Sequence, residues 1–168
     1  MGYVHDTHFA QFISPNDIVK SAGTWTPTLA SNTLGDVRTA GNATFNLFVP
    51  IIIPSNSSAL KGCKLESVEL LYTIATELFD DFATVELEKM SISSAGVVTG
   101  AAVTQTQDTG HDSAAERKAT GDHRMKVTIT TPAWIDNDEH YVLYCALDAG
   151  ANGVFTLWGA IANFTLRA

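Results

Sequence analysis

The stretch from His140 to Arg167 limits the possible folds more than any other part of the chain. It reads HYVLYCALDA, then GANG, then VFTLWGAIANFTLR. Both arms are apolar on both alternating faces. Tyr141, Leu143, Cys145 and Leu147 oppose Val142, Tyr144 and Ala146; then Phe155, Leu157 and Ile161 oppose Val154, Trp158, Ala160 and Phe164. A strand with one wet face alternates apolar and polar residues, and these do not. The pattern predicts a hairpin of two central strands, covered on both sides by the rest of the chain or by a neighbouring subunit.

The remaining segments add shorter strands. Gly23 to Leu29 reads as an edge strand because of Pro27, and residues 31–42 (SNTLGDVRTAGN) read as a loop. Ala43 to Ile53 is a strong strand. Phe45, Leu47, Val49, Ile51 and Ile53 share one face, Phe48 and Ile52 the other, and Pro50 marks a bend or bulge. Lys64 to Ala75 turns Val68, Leu70, Tyr72 and Ile74 to the core and a mostly solvated face outward; Phe82 to Ser91 is its expected partner. Val97 to Thr106 is a weaker strand, and Arg124 to Thr131 another. Between them, Asp112 or Ser113 can cap a short helix over Ala114 to Ala119. About eight strands with closely spaced turn signals predict an all-β protein: an antiparallel, jelly-roll-like β-sandwich with one short helical insertion. An immunoglobulin-like sandwich would need a Cys-Trp-Cys spacing that the chain lacks. Residues 1–21 read as an N-terminal arm and 22–168 as the sandwich domain. The arm carries Phe9, Phe12 and Ile13, so it is expected to dock on its own body or on a neighbour.

The totals exclude several roles. A formal charge of −8 argues against nucleic acid, because phosphate contacts need clustered Lys and Arg. Arg117, Lys118, His123, Arg124 and Lys126 form the only basic concentration, diluted by Glu116 and Asp122. The longest apolar run, Phe48 to Ile53, contains a proline and is too short to span a bilayer. The N-terminus lacks the basic start and apolar run of a secretory signal, so synthesis in a cytoplasm is expected. Cys63 and Cys145 fall in separate strands. They read as small apolar residues, or as a disulfide if those strands are adjacent.

No nucleophile elbow, zinc-protease helix, phosphate loop or EF-hand loop occurs, and no enzymatic activity is expected. His111, Asp112 and Ser113 are consecutive and cannot form a triad among themselves. His5 and His8 have metal-ligand spacing but no third ligand nearby in the sequence. Asp136, Asp138 and Glu139 form the densest oxygen cluster. Calcium is the one ion they would suit, although Asp and Asn also simply make turns, and no cofactor is expected. Trp25, beside threonines on an edge strand, is the best candidate for a sugar platform.

Strands apolar on both faces need cover, and self-association supplies it, most simply as a closed trimer. The expected interface residues are Phe9, Phe12, Ile13, Phe48, Ile52 and Trp158. In its Ala-, Thr- and Gly-rich, weakly charged β character, the chain resembles the small β-sandwich virion proteins of tailed phages. That resemblance implies a capsid decoration or minor capsid role, a shell as partner, and a virion location after synthesis in a host cytoplasm. It transfers no functional residue. The competing expectation is a carbohydrate- or receptor-binding module, calcium-assisted through Asp136, Asp138 and Glu139.

Overall fold

The structure is a computed structural model and describes residues 5–30, 32–53, 62–75 and 79–167. Among these, the strands are β1 (Asp6–Ile13), β2 (Val19–Lys20), β3 (Trp25–Ala30), β4 (Thr33–Arg38), β5 (Ala43–Ile51) and β6 (Cys63–Ile74). They continue with β7 (Phe79–Ile92), β8 (Val98–Ala102), β9 (Gln105–Gln107), β10 (Gly121–Ile129), β11 (Glu139–Ala149) and β12 (Phe155–Arg167). One helical turn, α1 (Ala114–Arg117), precedes β10. Ser113 and Glu116 close its capping box, each side chain accepting from the other's backbone N–H.

Two antiparallel sheets face each other. Sheet A runs β3-β4-β12-β6-β10-β9, with β1 also on β12; sheet B runs β2-β5-β11-β7-β8. From β4 to β7, and again from β10 to β12, successive strands alternate between sheets. The inner quartets β4-β12-β6-β10 and β5-β11-β7-β8 therefore give the strand order of a jelly roll. The core lies between the layers. Phe45, Leu47, Val49, Leu87, Leu143 and Cys145 from sheet B meet Val68, Leu70, Tyr72, Val127, Phe155 and Leu157 from sheet A. Each large apolar side chain buried there contributes about 1.5–3 kcal/mol.

Several local readings change once the topology is known. β11 and β12 are both central strands, but they lie in opposite sheets, so His140 to Arg167 is a crossover rather than a hairpin. β6 and β7 likewise lie in opposite sheets; β7 pairs with β11 and β8. Residues 33–38, expected as loop, form β4, because β12 offers Phe155–Leu157 as a template. Pro50 makes no bulge; the register of β5 on β11 runs unbroken from Ile51 to Ala43. Cys63 and Cys145 are free thiols in opposite sheets. Burial raises their pKa values to about 11 and about 12.

The arm docks on its own body. β1 pairs with β12 from Asp6↔Arg167 to Ile13↔Ala160. β12 thus hands one edge from β4 to β1, and the hand-over falls at Gly159. There φ is +125°, and a Cβ would lie 2.5 Å from the Ile13 carbonyl oxygen and 2.8 Å from Phe12 Cζ. The register on β6 shifts at the same point, between Leu157 and Gly159. The shift reverses the alternation. Ala160, Ala162 and Phe164 turn into the core, and Ile161, expected on the same face as Leu157, faces out half-buried.

Candidate interaction surfaces

The outer face of sheet B follows from alternation on its central strands. Phe45, Leu47, Val49 and Ile51 point inward, so Phe48 and Pro50 point outward. Pairing places Val19 and Tyr144 beside Phe48, and Val142 beside Pro50. The Phe48 and Tyr144 rings lie 5.3 Å apart. Val19 is 60% exposed, and Ile52, just past the strand end, is 61% exposed. The result is an uncharged apolar band across β2, β5 and β11. On its β7 side it is bordered by Glu86, paired with Tyr144, and Glu88, paired with Val142.

Where β6, β10 and the later half of β12 meet, the outer face of sheet A is polar and partly paired from within. Ser67 and Glu69, expected in solvent, are buried. Asn163 Nδ2 donates to Ser67 Oγ at 3.1 Å and to Glu69 Oε1 at 3.0 Å, while Arg124 forms an ion pair with Glu69. Burial opposes the charge on Glu69, but the Arg124 and Asn163 hydrogen bonds outweigh it and hold the carboxyl below its usual range. Beside this network, Thr165 Oγ1 donates to Glu66 Oε1 at 2.8 Å, which leaves its oxygen to accept from His8 Nδ1 at 3.0 Å. His8, Glu66, Ser67, Glu69, Lys126 and Asn163 line an open groove of about 560 Å³. Sequence reading missed Asn163 and Lys126 here, because the groove spans β1, β12, β6 and β10.

The free edge of sheet B is closed at one end by β9 and the insertion that follows it. Gln105 imitates a peptide unit against β7: its Oε1 accepts from Leu87 N at 2.9 Å and its Nε2 donates to Val85 O at 2.6 Å. Buried Arg117 donates to the Phe82, Ala83 and His111 carbonyls at 2.9, 3.1 and 2.9 Å. Lys118 Nζ donates to Asp80 O at 2.8 Å. Of the basic concentration seen in the sequence, Arg117 and Lys118 thus serve as backbone caps and Arg124 as an ion-pair partner, while Lys126 lines the groove.

A histidine pair anchors the same insertion. His111 Nδ1 lies 2.9 Å from Asp108 Oδ2, His111 Nε2 lies 3.1 Å from His123 Nδ1, and His123 Nε2 lies 2.7 Å from Ala119 O. The outer two bonds end on oxygens that only accept, so each takes an imidazole N–H, and the two remaining nitrogens face each other. Burial, together with the His111 charge, holds the pKa of His123 below that of an ordinary imidazole.

The other expected site residues are dispersed. Phe12, 58% exposed, and Trp158 lie on the outer face of sheet A. Trp158 is tied down by a 2.7 Å bond from Nε1 to Thr73 Oγ1 and covers Gly35, where a Cβ would sit 2.5 Å from its ring. Phe9 stacks on Phe164 with ring centres 5.1 Å apart, and Ile13 is buried in the core. Phe9 and Ile13 therefore pack inward, and only Phe48 and Ile52 of the six share the sheet B face. Trp25 is half-buried, in T-shaped contact with Phe45 and Phe155, and Lys20 Nζ lies over its ring at 5.6 Å. Trp134 lies between Lys64 and Arg167, at 4.4 and 4.2 Å from its ring centre. Glu139 accepts from Lys89 at 2.7 Å and from the Asp136 backbone N–H at 3.3 Å, while the Asp138 carbonyl receives Ile92 N. Among the described residues no three His, Cys, Asp or Glu side chains converge as a metal site. His5 is exposed. No helix among the described residues is long and apolar enough to cross a membrane.

No family model matches the chain, and no curated protein matches it. Solved structures similar to it include the family 11 carbohydrate-binding module of the cellulosomal cellulase Lic26A-Cel5E of Clostridium thermocellum. That module is 8% identical with a TM-score of 0.40, over 96% of this chain and 88% of its own. The winged bean acidic lectin, complexed with methyl-alpha-D-galactose, is 10% identical with a TM-score of 0.37, over 98% and 100%. A chain of the infectious bursal disease virus, Gx strain, is 14% identical with a TM-score of 0.37; the match spans 98% of this chain and 32% of the viral one. At these identities none of them assigns a role to a residue of this chain.

Proposed function

We propose that this chain is a non-enzymatic structural protein that assembles with copies of itself as part of a viral shell, in a decoration or minor capsid role. The observation that carries the reading is the apolar band of Val19, Phe48, Pro50, Tyr144 and Val142 across the outer face of sheet B, with Ile52 at its end. Exposed contiguous apolar surface on a sheet marks an interaction site. A second copy suits it: the band is uncharged, so two bodies of charge −8 can approach there with least repulsion. A closed ring is the simplest such assembly, and a trimer is the expected size. Light scattering over a concentration range tests this. The wild-type chain should hold a mass above the monomer on dilution, and Phe48→Glu should lower it. A wild-type monomer at every concentration would sink the reading.

The groove on sheet A favours a second reading, a carbohydrate- or receptor-binding module. Its carboxylates, amide, imidazole and ammonium offer both donors and acceptors to a polyol across about 560 Å³. Glycan-array binding lost in Lys126→Ala, and titrated with and without calcium, would support it.

A further inference from the structure

We propose that β8 pairs edge to edge with β8 of a second copy, carrying sheet B across a two-fold axis. This contact rests on the self-assembly reading and adds to it a surface separate from the apolar band. β8 ends sheet B, and every one of its residues is exposed. Ser93 N donates to Val97 O at 2.9 Å and Val103 N to Leu87 O at 2.8 Å, so the bonds to β7 fall at odd-numbered positions. Antiparallel alternation then turns the N–H and C=O of Val98, Gly100 and Ala102 away from β7, with no partner among the described residues. A row of free backbone donors and acceptors selects one kind of occupant, another extended strand.

The chemistry of the edge points to a copy of itself. No charged residue occurs from Ser91 to Gln107, in a chain of net charge −8. Edge strands that stay single are guarded by charge, proline or bulges, and β8 has none of these; its register on β7 is unbroken. The other free edges are less suited: β1 carries the charged Asp6, β3 contains Pro27, and β2 and β9 are two and three residues long. The protein also caps the adjoining part of the same edge with Gln105, Arg117 and Lys118, and leaves β8 bare. Antiparallel pairing centred on Gly100 sets Gly100 opposite its own copy and Val98 opposite Ala102. The facing side chains are small, and the exposed Val98 gains cover.

Disulfide trapping tests the geometry directly. A Cβ at Gly100 meets nothing within 4 Å, so Gly100→Cys fits the monomer. Directly opposed positions in such a pair have Cα atoms about 5.5 Å apart, within disulfide reach. The native Cys63 and Cys145 are buried and do not compete. Gly100→Cys should form covalent dimers at least about tenfold faster than Thr26→Cys on the edge strand β3. Separately, Val98→Lys with Ala102→Lys should weaken the two-fold contact about tenfold and halve the assembly mass, leaving the ring. Mixing it with the Val98→Glu, Ala102→Glu variant should restore that mass. Trapping at position 100 no faster than at 26, or a mass unchanged by the lysine pair, would overturn the edge contact while a persistent oligomer left the ring reading intact. A wild-type monomer would remove both.

Discussion

Residues 80–87 of β7 and the strand β8 lie along the same edge of sheet B, yet the two stretches are finished differently. Beside residues 80–87, the carbonyls of Asp80, Phe82, Ala83 and Val85 each receive a side-chain donor from the insertion at 105–118. Along β8, Val98, Gly100 and Ala102 receive nothing among the described residues. Backbone polar groups must be paired when water is excluded. The comparison teaches that an edge can be terminated from within by a few long side chains, and that a strand of small neutral residues next to it remains open to a partner.

Removing the closure should have the largest effect. Arg117→Met leaves three carbonyls without their donor in a buried site and should cost about 3 kcal/mol, read as a lower urea midpoint. Gln105→Leu removes two bonds to β7 and should cost about 1–2 kcal/mol in the same assay. Acid provides a graded version. His123 has a lowered folded pKa, so below about pH 6.5 the unfolded chain binds a proton that the folded chain resists, and stability falls as pH falls. Asp108 and Glu69, with lowered carboxyl pKa values, contribute stability that is lost at still lower pH, beneath the usual carboxylate range. The thermal midpoint should therefore drop in two steps, and His123→Phe should remove the upper one. At the open end the expected effect on monomer stability is smallest. Thr99→Lys on exposed β8 should change it by no more than about 0.5 kcal/mol. A large loss there would show that β8 already has a hidden partner within the chain.

Much of the fold was legible from alternation, because a period of two follows from strand geometry alone. Every second residue of Val68 to Ile74, Phe45 to Ile51 and Met125 to Ile129 faces the core as the pattern requires. The short helix was equally readable, with Asp112 or Ser113 as its cap; the structure uses Ser113 and ends the helix at Arg117. What alternation could not supply was the partner of each strand. β11 and β12 look like a hairpin because GANG joins two apolar arms, but the connection crosses between layers. Likewise β4 carries Gly35 and Asp36, which read as turn residues. The glycine lies under the Trp158 ring, and the aspartate is buried in an ion pair with Lys20.

The candidate surfaces divide the same way. Phe48 and Ile52 could be assigned to an outer face from their position relative to Leu47 and Ile51, with no knowledge of neighbours. Their joining with Val19 and Tyr144 needed the β2-β5-β11 order. The all-β class, the apolar content of the central strands and the short capped helix follow from local spacing along the chain. Tertiary structure alone decided that Ile161 faces out, that Glu69 is buried and that β8 ends its sheet. Each of these follows from a bulge, a network or a neighbour set by residues far away in the chain, and loop-spanning contacts of that kind leave no local period to read.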